Sequence, residues 1–123
     1  MRKTFTLAAV LALVGCSGSG YGGSTYGGVT GPPQDPGPPV MTTSVSLRNI
    51  AFNPGRIQVA PGATVEFTNN DGITHNITFS SNAITGATDF ATGSRAVVMP
   101  TTPGTYAYHC TIHAGMAGTV TVQ

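Results

Sequence analysis

From residue 42 to residue 123 the chain is built of short runs that alternate apolar and polar residues and stop at Pro, Gly or Asn-Asp breaks. Thr43-Ser44-Val45-Ser46-Leu47 alternates, Arg56 to Ala60 ends at Pro61-Gly62, and Thr64-Val65-Glu66-Phe67 leads into Asn69-Asn70-Asp71-Gly72. His75-Asn76-Ile77-Thr78-Phe79, Arg95 to Met99, Thr105 to Cys110 and Gly118 to Val122 complete the series. A period of two sends successive side chains to opposite faces, so each run suits a half-buried strand. No convincing amphipathic helical pattern competes. The expectation is an all-β, antiparallel Greek-key sandwich of about seven to eight strands. Residues 82–93 show no clear period and read as a loop or one helical turn. Asp71-Gly72 is a turn signal and needs no chemical role.

The first 41 residues have a different composition. Arg2-Lys3 followed by the apolar run Phe5 to Val14 is a charged segment and an apolar core too short to span a bilayer, the pattern of an export signal. It ends at Leu13-Val14-Gly15-Cys16, which resembles the lipobox of bacterial lipoproteins. That resemblance implies cleavage after residue 15, lipid on the Cys16 sulfur, and anchoring to a membrane on the periplasmic side of the envelope or at the cell surface. Several acyl chains bury far more apolar surface than one, so such an anchor holds stably. Residues 16–41, Gly/Ser/Tyr-rich and then Pro-rich, lack a pattern that could bury anything and read as a tether. The folded domain is therefore expected at 42–123.

Only 7% of the residues are charged and the formal net charge is +1. Nucleic acid, which demands clustered Lys and Arg, is excluded as a partner. Within 42–123, Arg48, Arg56 and Arg95 balance Glu66, Asp71 and Asp89, so long-range steering is weak and docking must rest on apolar contact. A monomer is expected. With Cys16 lipidated, Cys110 has no disulfide partner, and a lone thiol in an oxidising compartment is a liability that a metal bond removes.

Cys110 stands in Tyr108-His109-Cys110-Thr111-Ile112-His113-Ala114-Gly115-Met116. Thiol, imidazole and thioether at C-x2-H-x2-M spacing on one loop suit copper better than a hard cation, and the missing second imidazole must come from elsewhere. His75 is the candidate. Parity along 106–110 places Tyr106, Tyr108 and Cys110 on one face and His109 on the other, so His109 is expected at the surface.

The order His75, then Cys110, His113 and Met116, resembles the ligand set of the small blue-copper proteins, the plastocyanin/amicyanin group of cupredoxins. The short Cys-to-Met spacing is closest to amicyanin. The resemblance implies one copper ion cycling between Cu(II) and Cu(I), held by His75, Cys110 and His113 in a trigonal set with Met116 as a long axial ligand. It also implies redox partners that dock on an apolar patch around His113, and a clamp in which the Asn76 side chain bonds Thr111. Ile112 departs from the proline common in these loops; its amide is available to donate to the Cys110 sulfur.

Four protein donors leave no vacant position for substrate or activated water, so an electron carrier is expected rather than an enzyme. The alternative is a periplasmic copper-binding or delivery lipoprotein without an electron-transport role, although such sites use Met-rich or paired-thiol ligands. A multicopper enzyme needs more ligands than three histidines supply.

Overall fold

The computed structural model describes residues 37–123. The expected export signal, the lipidation site at Cys16 and the tether up to residue 36 lie outside the described residues. Among the described residues ten strands form: β1 Val40–Met41, β2 Ser44–Leu47, β3 Phe52–Asn53, β4 Arg56–Val59, β5 Thr64–Asn69, β6 His75–Phe79, β7 Ala87–Phe90, β8 Gly93–Val98, β9 Gly104–His109 and β10 Ala117–Val122. They make two sheets, one in the order β1-β4-β10-β9-β6-β7 and the other β3-β2-β5-β8.

The alternation predicted from sequence is what builds the core. Val65, Phe67 and Asn69 of β5 point inward between exposed or half-exposed neighbours, and Gly118, Val120 and Val122 of β10 do the same. Val45 and Leu47 meet Ile57 and Val59 in the same interior. Each large aliphatic or aromatic side chain so buried contributes about 1.5–3 kcal/mol relative to exposure.

Three features differ from the sequence expectation. The sheets are mixed: β2 runs parallel to β5, and β4 runs parallel to both β10 and β1. Short turns such as Pro61-Gly62 suggest hairpins, but here they carry the chain from one sheet to the other, so neighbours in a sheet come from distant sequence. Ten strands form because β1 and β3 have two residues each, too short for a period to register, and because residues 82–93 contain β7 after a turn and no helix. β7 reads poorly in sequence because only Phe90 of its four residues is buried. Val40 and Met41, assigned to the tether from composition, form β1 against β4.

Beneath one end of the sandwich lies an aromatic cluster centred on Tyr108. Its ring centroid is 4.8 Å from Phe52, 5.4 Å from Phe67 and 5.2 Å from Phe79. Tyr108 lies directly across the ladder from Gly118. A Cβ at Gly118 would stand 2.6 Å from the Tyr108 ring and 2.8 Å from the Gly55 carbonyl, so the glycine is the space the tyrosine occupies. Because one of those neighbours is backbone, relief requires the chain to move. Gly118→Ala is expected to cost about 1–3 kcal/mol. Urea denaturation should show a lowered midpoint at unchanged slope; an unaltered midpoint would mean the tyrosine has room that the packing does not suggest.

Candidate metal centre

β9 lies between β10 and β6, with His109 opposite Ala117 on one side and Thr78 on the other. The start of β6, the end of β9 and the start of β10 therefore meet at one end of the six-stranded sheet. His75 opens β6, and Cys110 follows β9. The loop from Cys110 to Met116 is closed by its own backbone: the Cys110 amide donates to the Met116 carbonyl at 2.9 Å and the Met116 amide to the His113 carbonyl at 3.2 Å. Gly115 takes a φ of 81°, a left-handed conformation that a side chain disfavours.

This arrangement brings together one donor atom each from His75, Cys110 and His113, all within 4.8 Å of one another. The sulfur stands 3.9 Å from His75 Nδ1 and 3.6 Å from His113 Nδ1. His75 and Cys110 are buried, whereas His113 is half-buried, so of the two imidazoles in the cluster it is that of His113 that reaches the surface. Met116 is buried at the base of the loop. His109 is exposed on the outer face. Below the thiol, burial raises the pKa of Tyr108, so its phenol stays neutral.

Asn76 links the two segments. Its Nδ2 donates to Thr111 Oγ1 at 2.7 Å and to Asp89 Oδ1 at 2.9 Å, and its Oδ1 accepts the Thr111 amide at 2.9 Å. The bond to Asp89 was not legible in the sequence, because β7 was not. The Ile112 amide expected on the sulfur is absent from the hydrogen bonds of the described residues: Sγ faces the two imidazoles instead, and the Ile112 side chain is 45% exposed.

Asp71 changes role. Read as a turn residue without chemistry, it places Oδ2 2.9 Å from His75 Nε2. The same carboxylate accepts the amides of Asn49 and, at 2.9 Å, Ile50. Burial pushes its pKa up, but the Ile50 and Asn49 amides and His75 together outweigh this and hold it below the ordinary carboxylate value. Asn69, buried at the end of β5, shapes the same loop: its Nδ2 donates to the Ile73 and Phe90 carbonyls at 2.7 and 2.9 Å, and its Oδ1 accepts the Asp71 amide at 3.0 Å. The one signal in the sequence was an acidic residue four positions before a candidate metal histidine.

An all-β sandwich carrying a buried thiol, two imidazoles and a thioether at one end defines a protein suited to a single soft or borderline metal ion, and that donor set fits copper. The family model for copper binding proteins of the plastocyanin/azurin family matches residues 39–123, and the chain belongs to that family. Plastocyanin of Ulva prolifera is 39% identical over 87 residues, covering 61% of this chain and 89% of that protein. The major chloroplastic plastocyanin isoform of Arabidopsis thaliana is 35% identical over 89 residues, covering 61% of this chain and 53% of that one. Among solved structures, an oxidised amicyanin variant superposes with a TM-score of 0.59 at 26% identity, covering 65% of this chain and 80% of its own. The cofactor of this family is copper, and the His-Cys-His cluster accommodates one ion.

If the Asn76 amide is the link between the two ligand-bearing segments, Asn76→Ala should cost about 1–3 kcal/mol, since it strips partners from Thr111 and Asp89. Hydrogen exchange at the Thr111 amide should accelerate at least tenfold in the same variant. Unchanged protection there would show that the loop is held by other means.

Proposed function

We propose that this chain is a mononuclear blue-copper electron-transfer protein, with His75, Cys110, His113 and Met116 as the ligands. The observation that carries this reading is the convergence of three donor atoms within 4.8 Å at a site where two of the three residues are buried. A bound copper ion supplies a one-electron Cu(II)/Cu(I) couple. The chain's own residues do the rest. Asn76 and Thr111 hold the two ligand segments in register, so little backbone needs to move between oxidation states. Burial of His75, Cys110 and Met116 keeps water from the donors. The four donors leave no position for a substrate, which supports a carrier and not an enzyme.

Electrons leave through the half-buried His113, the ligand nearest solvent. Ala114 and Gly115 beside it are small, and Ile50, Ile73 and Ile112 are 44%, 41% and 45% exposed. A redox partner protein docks on this apolar end by close contact, with weak steering because the charges of 42–123 cancel. Reconstitution of residues 37–123 with Cu(II) should give an intense visible thiolate-to-copper band, a reversible couple and one copper per chain. Cys110→Ser should abolish the band. A wild-type protein that binds copper without such a band would overturn the reading.

We propose further that the chain is exported and tethered to a bacterial membrane through lipid on Cys16, the Gly/Ser/Pro-rich segment acting as the leash of a domain from about residue 42. The lipobox-like Leu13-Val14-Gly15-Cys16 supports this. Fatty-acid labelling of the expressed full chain should mark the wild type and not Cys16→Ser, and the variant should appear in the soluble fraction. Equal partition of the two forms would sink the anchor.

A further inference from the structure

We propose that Asp71 is a positioning residue that fixes which nitrogen of His75 is offered to the metal and ties that choice to the turn between β2 and β3. The proposal rests on the copper reading above. It begins from an asymmetry in the contacts of a fully buried ring: Nε2 meets a carboxylate oxygen at 2.9 Å, and Nδ1 faces the Cys110 sulfur at 3.9 Å. A carboxylate oxygen accepts hydrogen bonds, and an imidazole that offers one nitrogen's lone pair to a metal keeps its proton on the other nitrogen. The proton therefore sits on Nε2, and the lone pair is left on Nδ1, the nitrogen turned toward the Cys110 sulfur. A carboxylate in this position also raises the basicity of the ligating nitrogen.

The carboxylate is itself held in place. Asn49 donates its amide to Oδ1, and Ile50 donates to Oδ2, the same oxygen that meets His75. Both residues have a φ of 56°, and a β-branched residue in the left-handed region is an outlier. Two successive left-handed residues aim adjacent amides at one acceptor, so the turn behaves as a receptor for the Asp71 side chain. The Asp71 backbone is fixed in turn by Asn69 Oδ1. With both oxygens engaged, the carboxylate cannot rotate away from His75, and the ring is set before any metal arrives. The route also connects the metal ligand to an exposed residue: Ile50, 44% exposed, lies one shared oxygen from the imidazole.

The test reads the His75 tautomer in metal-free protein at neutral pH, by long-range nitrogen–proton correlation on histidine-labelled full chain, and then copper affinity and reduction potential. The wild type should show the Nε2–H form with a slowly exchanging ring proton. Asp71→Asn has one accepting oxygen to divide among two amides and an imidazole. Its ring proton should exchange at least tenfold faster, its copper affinity should fall about 10–100-fold, and its potential should rise because a negative charge that favours Cu(II) is gone. A wild-type His75 in the Nδ1–H form overturns the proposal without any variant, which keeps it decidable if Asp71→Asn does not fold. So does a folded Asp71→Asn protein with tautomer, affinity and potential unchanged. Should the wild type bind no copper, the proposed function fails while the metal-free tautomer still decides this inference.

Discussion

The thiol and the first imidazole belong to segments 35 residues apart in sequence, and they meet only because β6 is laid antiparallel against β9. The backbone ladder between these strands has just two register pairs, Thr78 with His109 and Phe79 with Tyr108. Continuing the same register by two residues brings Asn76 opposite Thr111, and there the side-chain amide takes over from the main chain. Its Oδ1 receives the Thr111 amide as a carbonyl in the ladder would, and its Nδ2 adds the hydroxyl bond. A main-chain partner would require the loop after Cys110 to remain extended. A side-chain partner ends the strand pairing while keeping the two segments in contact, and the loop is then free to turn His113 back toward the sulfur.

Much of this was legible because it follows from residue type and spacing. Alternation at Thr64 to Phe67 and Gly118 to Val122 fixes which side chains face the core, and parity along Tyr106 to Cys110 separates the buried thiol from the exposed His109. Cys110, His113 and Met116 stood out as candidates because soft donors at short spacing have few other uses. Three things were not. Sheet order depends on where the chain crosses between layers, and a turn such as Pro61-Gly62 has the same composition whether it closes a hairpin or changes sheets. β7 is an edge strand with polar faces, so hydrophobic period cannot reveal it. Asp71 looked sufficient as a turn former, and nothing local distinguishes a carboxylate that ends a turn from one that also bonds a ligand; the difference lies in Asn49 and Ile50, more than twenty residues upstream.

The centre is thus braced from both layers of the sandwich. β7, through Asp89, supports Asn76 from the edge of the six-stranded sheet. Asn49 and Ile50, in the connection between two strands of the four-stranded sheet, support His75 through Asp71. Two residues before Cys110, Tyr108 is packed among three phenylalanines. Close-packed interiors resist small displacements steeply, so donor side chains bracketed in this way pay their ordering cost at folding.

The division between scaffold and loop also accounts for a mixed likeness. Over the domain the chain aligns in sequence with plastocyanins, while its backbone superposes on amicyanin. The two need not agree, because the loop is closed by its own hydrogen bonds between Cys110, His113 and Met116 and meets the sheet at the pair His109 and Ala117 and, through Thr111, at Asn76. Any loop that leaves and re-enters the ladder at that pair satisfies β9 and β10 equally well. Loop length can therefore vary without disturbing strand register, and what it alters is how far the half-buried His113 imidazole stands from the buried sulfur. The sandwich sets where the donors meet, and the loop sets how they are presented at the surface.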